Sequence, residues 1–281
     1  MTCRIALVGI DGSGKSALIA KLKKEDPFSS VRAISCPDIH SVTDGPLHSL
    51  SLQMAAFSAA ADRAANPEVK AAALYLRMTL FGPVEKFIVD TYQPRLLICE
   101  RHPMVETLVY TPIYQHLESG ARNAKLSGLA EIFDETDLTE SGAANAIEQW
   151  WAMEACRTGF DESIVNILSE IVKVVSQPLK QSVSILQLCY RTTLPSDIVW
   201  LDIEPEIAAA RTKSRGKRVE LHETEPALTQ LRSNYRKALT ALQIRGVKIH
   251  RIVVTENMRI GTLASIFADV IQPTLVSGNQ I

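Results

Sequence analysis

The chain has 281 residues, of which 46% are apolar and 22% are charged, and its formal net charge is -1. This composition predicts a buried core, and the near-zero charge favours neither a nucleic-acid partner nor a membrane surface. No apolar run approaches the ~20 residues of a membrane-spanning helix. Five scattered cysteines, without a CxxC pair or metal-ligand spacing, indicate reduced thiols. We therefore expect a cytoplasmic protein without a membrane or nucleic-acid partner.

Short, mostly apolar runs alternate with longer stretches of helical spacing. Such runs are typical of strands buried on both faces of a parallel sheet. The predicted strands are Ile5–Val8, Val31–Ser35, Leu96–Cys99, Ile198–Asp202 and Ile249–Val254. The predicted helices are Ala17–Lys24, Pro67–Asp90, Pro205–Ser214, Pro226–Leu242 and Arg259–Ile271. This alternation predicts a doubly wound α/β sheet.

The middle of the chain, from about 111 to 193, has a different pattern. It contains no strand-like run before Val183–Leu188, and Ile147–Arg157 and Glu162–Val175 have helical spacing. We interpret it as a mostly helical insertion in a single domain that spans residues 1–281. We expect the adjacent Trp150 and Trp151 to pack inside this insertion. The alternative, that both stack on a ligand, is disfavoured because neighbouring residues on a helix face different directions.

The segment from Gly9 to Ser16 has the spacing G-x-x-x-x-G-K-S and joins the first predicted strand to the first predicted helix. In this context the glycines let backbone N–H groups point at an anion, and the following helix adds its positive end. Lys15 would reach the β- and γ-phosphates of a nucleotide, and the Ser16 hydroxyl would bind Mg²⁺. The predicted nucleotide-binding residues are Gly9, Asp11, Gly12, Ser13, Gly14, Lys15, Ser16 and Ala17.

A second polar motif, Glu100-Arg101-His102, follows the predicted strand Leu96–Cys99 directly. Ligands of open α/β sheets bind outside the carboxyl ends of the strands, which is where these side chains are expected. Glu100 would position Mg²⁺ or its water, and Arg101 would hold an acceptor phosphate through two hydrogen bonds.

A basic segment follows the predicted helix Pro205–Ser214. Residues 213–218 include four cations and a glycine, and Arg211 precedes them. We interpret residues 211–223 as a mobile lid that closes over transferring phosphates and excludes water. No NKxD base-reading sequence is present, and no DxxG follows a strand apart from Asp11–Gly14 inside the loop itself, which argues against a switch GTPase.

Together these motifs resemble the thymidylate kinase family. The loop with Asp11 inside it resembles that family's P-loop, and Glu100-Arg101-His102 resembles its Asp-Arg-Tyr/His motif with Glu in place of Asp. The passage from Ile198 to Glu206, with Arg211 and Arg215-Gly216 after it, resembles the family's strand, helix and lid. The helix around Arg77, the later Glu220 and Tyr235 also fall where the family has equivalents.

The resemblance implies a three-layer P-loop NTPase fold with a five-stranded parallel sheet, ATP with Mg²⁺ as phosphoryl donor, and often a homodimer. It also implies that Arg77 contacts the acceptor phosphate. We assign Asp38, Arg101 and His102 to the acceptor site with it. Some members carry a catalytic arginine in the P-loop, and this loop has none. The lid would therefore supply that charge from Arg215, Arg218 or Lys213, and Arg211 and Arg215 would contact the nucleotide.

The motifs leave two chemical classes possible for the phosphoryl acceptor. The family's Arg-Glu-Pro-Gly sequence is absent after the second strand, where this chain has Ser35-Cys36-Pro37-Asp38. The main expectation is a nucleoside monophosphate, whose phosphate needs no general base. The alternative is a hydroxyl of a nucleoside, sugar or specialised metabolite, with Asp11, Asp38 or Glu100 as base. A third hypothesis, a nucleotide-binding regulatory protein without phosphotransfer, is disfavoured by the intact Lys15, Ser16 and Glu100.

Overall fold

The computed structural model describes residues 2–26, 30–63, 66–120, 143–161, 163–214 and 224–277. The chain divides into two compact units. We call the first the sheet unit (Met1–Ser35, Lys86–Val105 and Leu194–Ile281) and the second the helical unit (Cys36–Glu85 and Glu106–Thr193). Within the described ranges, no helix combines the length and the apolar character needed to cross a bilayer. The prediction of a single domain stays a prediction.

The sheet unit is built on five parallel strands in the order β2-β3-β1-β4-β5. The strands are β1 (Cys3–Val8), β2 (Val31–Ser35), β3 (Leu96–Glu100), β4 (Asp197–Ile203) and β5 (Lys248–Val254). All residues of β3 and β4 are buried, as the mostly apolar runs predict. The expected α/β class with a five-stranded parallel sheet is confirmed.

Helices fill the connections between the strands. In chain order they are α1 (Lys15–Glu25), α2 (His48–Arg63), α3 (Pro67–Thr79), α4 (Phe81–Tyr92), α5 (Pro103–Gly120), α6 (Ala143–Thr158), α7 (Ile167–Val175), α8 (Leu179–Tyr190), α9 (Pro205–Ser214), α10 (Glu225–Ile244) and α11 (Ile260–Ser277). Short 3-10 turns lie at Ile39–Ser41 and Ile164–Asn166. The predicted helix Pro205–Ser214 matches α9 at both ends, and the helices α2 and α5 were not predicted.

Two predictions about where helices and strands lie are wrong. The predicted helix Pro67–Asp90 is two helices, α3 and α4, because Pro83 has no N–H to continue the ladder from Thr79. The strand-like run Val183–Leu188 lies inside the helix α8. A short apolar run has no period that separates a strand from a buried helix, and here Pro178 at the N-cap starts a helix.

The helical unit has a core of its own. Trp150 and Trp151 are 8% and 1% exposed, so both are buried as predicted. Two of their partners, Thr79 and Tyr75, lie on α3, outside the predicted insertion. The Trp150 indole N–H donates to the Thr79 hydroxyl at 2.8 Å, and the Tyr75 ring meets the Trp151 ring edge to face. The described part of residues 111–193 is helical, as expected.

Candidate functional site

The loop between β1 and α1 has a backbone conformation that requires glycine. Gly9, Gly12 and Gly14 have φ angles of 146°, 83° and 97°. A Cβ atom on Gly9 would lie 2.5 Å from the Leu201 carbonyl oxygen, and one on Gly12 would lie 2.5 Å from that of Ala208. Because β4 and α9 place their backbone so close, a side chain at Gly9 or Gly12 would push the loop away.

The Lys15 ammonium lies inside this loop. Its Nζ donates to the carbonyl oxygens of Gly9 at 2.7 Å and Ile10 at 3.0 Å, and only 5% of Lys15 is exposed. The helix α1 begins at Lys15, and its N-cap, Gly14, offers no side-chain acceptor to the first turn. The backbone N–H groups at this helix start therefore lie beside a buried cation, and this combination fits a phosphate group.

Ser16 and Glu100 connect the loop to the end of the neighbouring strand. The Ser16 hydroxyl donates to Oε1 of Glu100 at 2.8 Å, and the Ser35 hydroxyl donates to Oε2 at 2.7 Å. The strand register explains this grouping, since Glu100 pairs with Leu7 of β1 on one side and with Ser35 of β2 on the other.

This group of oxygens fits Mg²⁺. Glu100 is only 6% exposed, and none of the described Lys, Arg or His side chains forms an ion pair with its carboxylate. A buried carboxylate is costly without a compensating positive charge. Mg²⁺ prefers carboxylate and hydroxyl oxygens and binds with few protein ligands. Ser16 and Glu100 are therefore the residues that would hold it.

Asp11 and Arg101, both predicted site residues, form an ion pair within the sheet unit. Their side chains are 14% and 17% exposed, and the Arg101 backbone has a φ of 56° in the left-handed region. The Arg101 N–H donates to the Leu7 carbonyl at 3.0 Å, which holds the turn after β3 against β1. Asp11 of the P-loop thus binds the guanidinium of Arg101, which the sequence analysis assigned to an acceptor phosphate.

Arg211, predicted to contact the nucleotide, reaches the P-loop from α9. Its guanidinium donates to the Gly12 carbonyl at 3.4 Å and to the carbonyls of Thr255 and Glu256 at 3.1 Å each. Arg211 thus ties the middle of the P-loop to the turn after β5.

A buried charge network supports the strand on which the P-loop rests. Asp202 on β4 is 1% exposed and accepts from Nε of Arg232 at 2.6 Å and from Nε of Arg251 at 2.8 Å. Burial raises the pKa of this carboxyl, but the hydrogen bonds and charges of Arg232 and Arg251 lower it more, so the pKa lies below its ordinary value. Asp202 is therefore held in its charged form. The residue before it, Leu201, places its carbonyl oxygen against Gly9.

In the helical unit the structure pairs two predicted acceptor-site residues, Asp38 and Arg77. The Arg77 side chain is 8% exposed and that of Asp38 is 60% exposed. Next to them, the His40 ring nitrogen Nδ1 lies 3.1 Å from the hydroxyl of the buried Ser51. Burial lowers the pKa of His40, with the charge of Asp38 raising it and those of Arg77 and His48 lowering it.

Further predicted residues lie in the sheet unit. His102 is fully buried in the sheet unit, and Tyr235 is fully buried on α10. Ala17 is exposed in the first turn of α1. Arg215, Arg218 and Glu220 lie outside the described residues, so their assignments stay predictions.

Sequence reasoning missed Ser35, His40 and Ser51. Ser35 ends the predicted strand Val31–Ser35, so its place at the same sheet edge as Glu100 could have been found from the strand pattern alone. His40 and Ser51 meet only because the 3-10 turn packs near the start of α2, and no sequence spacing indicates that contact.

No known family model matches this chain, and no curated protein matches it in sequence. Among solved structures the chain is similar to a thymidylate kinase from Candida albicans, with 14% identity, coverage of 97% of this chain and 92% of that chain, and a TM-score of 0.49. It is also similar to deoxyadenosine kinase from M. mycoides with dCMP and dCDP bound, with 14% identity, coverage of 96% and 99%, and a TM-score of 0.48. The same enzyme with dATP bound gives 12% identity, the same coverage and a TM-score of 0.47. At these values the likeness supports no statement about activity, which is argued below from the residues.

Proposed function

We propose that this chain is an ATP-dependent kinase that transfers the γ-phosphoryl group to a nucleoside monophosphate. The observation that carries the proposal is the phosphate loop. Glycines at contact distance from β4 and α9 shape this loop, Lys15 is buried inside it, and Ser16 is joined to Glu100. The nucleotide type of the acceptor rests on the resemblance of the motifs to thymidylate kinases.

The residues of the sheet unit would act by positioning and by charge. The loop N–H groups and Lys15 would bind the donor phosphates, and Lys15 would exchange its carbonyl partners for phosphate oxygens. Mg²⁺, held by Ser16 and Glu100, would neutralise charge on the β- and γ-phosphates. Arg211 is held by the carbonyls of Thr255 and Glu256. It would limit how far the nucleotide phosphates enter the loop.

Arg77 and Arg101 are the proposed ligands of the acceptor phosphate. Each guanidinium already has a carboxylate partner, Asp38 for Arg77 and Asp11 for Arg101. A phosphate bound at either arginine would therefore replace a carboxylate there, and a dianion with bidentate geometry is suited to that exchange. Arg215 and Arg218 of the lid are proposed to cover the transferring group.

The pair of Asp38 and Arg77 favours a second candidate, a kinase that phosphorylates a hydroxyl group. Asp38 is exposed and held by a buried arginine, so its carboxylate is both accessible and oriented. A carboxylate in that state can accept the proton of an attacking hydroxyl, while a monophosphate acceptor would meet a negative charge there. In this version Arg77 orients the base and does not bind the acceptor.

A coupled assay of ADP release tests the proposal and separates the two candidates. The purified chain is supplied with Mg²⁺, ATP and one acceptor at a time: dTMP, other nucleoside monophosphates, nucleosides and simple sugars. Turnover that requires a monophosphate supports the main proposal. Turnover with a hydroxyl acceptor alone overturns it in favour of the second candidate, and ATP binding without turnover on any acceptor overturns both. A homodimer and a cytoplasmic location stay predictions, and size-exclusion chromatography with light scattering tests the first.

A further inference from the structure

The Glu100 carboxylate has a second hydroxyl partner that the P-loop motif does not supply. Ser35, the last residue of β2, donates to Oε2 at 2.7 Å, while Ser16 donates to Oε1 at 2.8 Å. The register pairs the Cα atoms of Ser35 and Glu100 across β2 and β3, so the ladder between these two strands fixes the contact. The carboxylate is held at both oxygens.

We propose that Ser35 is a positioning residue of the Mg²⁺ site, an inference that rests on the proposed kinase function. It orients Glu100, and Glu100 in turn orients the Ser16 hydroxyl. Ser35 itself contacts neither nucleotide nor metal in this account. Its effect reaches the site only through the carboxylate.

The hydrogen-bond chemistry of a hydroxyl explains why this orientation matters. Ser16 has one O–H donor and two lone pairs, and the donor is directed at Glu100. The lone pairs therefore point away from Glu100 and are available to a cation. If the carboxylate rotates, the Ser16 proton loses its acceptor and the hydroxyl no longer has a fixed direction.

The side chain of Glu100 needs such a restraint. Glutamate has one more rotatable bond than aspartate. Glu100 is 6% exposed, and none of the described cationic side chains forms an ion pair with its carboxylate. Two hydroxyl donors leave further lone pairs on its oxygens for the water shell of a cation. Hydrogen-bond partners of metal-binding carboxylates typically change metal affinity by 10-fold to 100-fold when they are removed.

The test is the Mg²⁺ dependence of nucleotide binding, measured without acceptor by fluorescence titration with mant-ATP. We expect Ser35→Ala to weaken the apparent Mg²⁺ affinity by about 10-fold to 100-fold, and to leave mant-ATP affinity in EDTA unchanged. Ser35→Thr keeps a hydroxyl and should stay within about 3-fold of the wild type, which is well below that range. Thermal unfolding of each variant checks that the fold is retained.

Ser30→Ala is the matched control. The Ser30 hydroxyl also donates to a carboxylate, that of Asp26 at 3.0 Å, next to the opposite end of β2. Ser30→Ala should leave the Mg²⁺ dependence of mant-ATP binding unchanged. If Ser35→Ala behaves like Ser30→Ala, or weakens binding equally with and without Mg²⁺, the positioning role is overturned while the kinase proposal stands. A wild-type chain that binds mant-ATP without any effect of Mg²⁺ overturns both.

Discussion

Ser16 and Glu100 are 84 positions apart in the chain, and their side chains share a hydrogen bond of 2.8 Å. The contact exists because β1 and β3 are neighbours in the sheet, so the P-loop after β1 and the end of β3 lie at the same edge. A phosphate loop and a buried carboxylate are thereby combined in one site, and the central claim tested at the end depends on that site.

Replacing Lys15 by alanine should abolish phosphotransfer and retain the fold. The variant removes the buried ammonium that donates to two carbonyls of the loop, and loss of such a preorganised charge costs on the order of 10²-fold to 10³-fold in kcat. ADP release measures the activity, and circular dichroism measures the fold.

Lys24→Ala is the control for Lys15, because Lys24 is an exposed lysine in the last turn of the same helix. It should keep full activity. Unchanged activity of Lys15→Ala would refute the assignment of the site.

Replacing Gly12 by alanine should weaken both the fold and ATP binding. The residue has a φ of 83°, and the new Cβ would lie 2.5 Å from the Ala208 carbonyl oxygen. We expect a loss of about 1–3 kcal/mol in the free energy of unfolding from the forced shift of α9, in addition to the backbone strain. Urea unfolding and calorimetric titration with ATP measure the two effects.

Gly246→Ala separates strain from contact. Gly246 has a similar φ of 88°, but no atom lies within 4 Å of its Cβ position. Gly246→Ala should lower the free energy of unfolding only by the cost of the left-handed backbone, about 1–2 kcal/mol. Its ATP binding should be normal. Equal behaviour of the two variants would contradict the proposed contact between the loop and α9.

The sequence predicted the sheet because each strand contains a short run rich in apolar residues, and β3 and β4 are buried throughout. The expected burial on both faces is wrong for β5, where Lys248, Arg251 and Val253 are exposed. The sequence also identified the P-loop, since the motif and its flanking strand and helix are local. It failed where a local pattern was ambiguous. The run Val183–Leu188 suits a strand or a buried helix, and the break before Pro83 could have been predicted from the Gly82-Pro83 pair.

Long-range side-chain pairs were not predictable from the sequence. Asp38 and Arg77 were both assigned to the acceptor, but nothing in their spacing indicates that they form an ion pair with each other. The bond between Ser35 and Glu100, across 65 positions, depends on strand order and register, which the sequence pattern leaves open.

Replacing Asp38 by asparagine should distinguish the two acceptor classes. The change removes the negative charge beside Arg77 and nearly preserves the shape of the side chain. For a monophosphate acceptor the freed guanidinium should lower KM, whereas for a hydroxyl acceptor the loss of the base should lower kcat by about 10²-fold to 10⁴-fold. Steady-state kinetics with each acceptor measure the difference.

Arg77→Lys provides the comparison for Asp38→Asn. It keeps a cation near Asp38 but loses bidentate geometry. A monophosphate acceptor predicts a raised KM for Arg77→Lys and a lowered KM for Asp38→Asn. If both variants instead reduce kcat alone, the acceptor-phosphate role of Arg77 is wrong.

Asp202 should contribute stability that is lost in acid. Its pKa in the folded protein lies below the ordinary value because Arg232 and Arg251 stabilise the charged form against the effect of burial. The contribution is complete above the ordinary pKa of about 3.9, and disappears as pH falls through the lower pKa of the folded state. Asp202→Asn should cost about 1.5–3 kcal/mol at neutral pH, the value of a hydrogen bond to a charged group.

The measurement for Asp202 is chemical unfolding of wild type and variant at pH 7 and at the lowest pH where both remain folded. The difference should shrink at the lower pH. Asp90→Asn is the control, because the Asp90 side chain is 58% exposed and its pair with Lys86 is a surface contact, worth less than about 1 kcal/mol. A difference for Asp202→Asn that is constant with pH would show that its charge is not the cause.

The central claim is that the loop around Lys15, with Ser16 and Glu100, binds ATP together with Mg²⁺. Isothermal titration calorimetry of the wild-type chain with ATP, in Mg²⁺ and in EDTA, tests it most directly. The account predicts one ATP per chain, tighter binding in Mg²⁺, and loss of binding in Lys15→Ala. Equal binding of ATP by the wild type and by Lys15→Ala, or no binding at millimolar ATP, would contradict it.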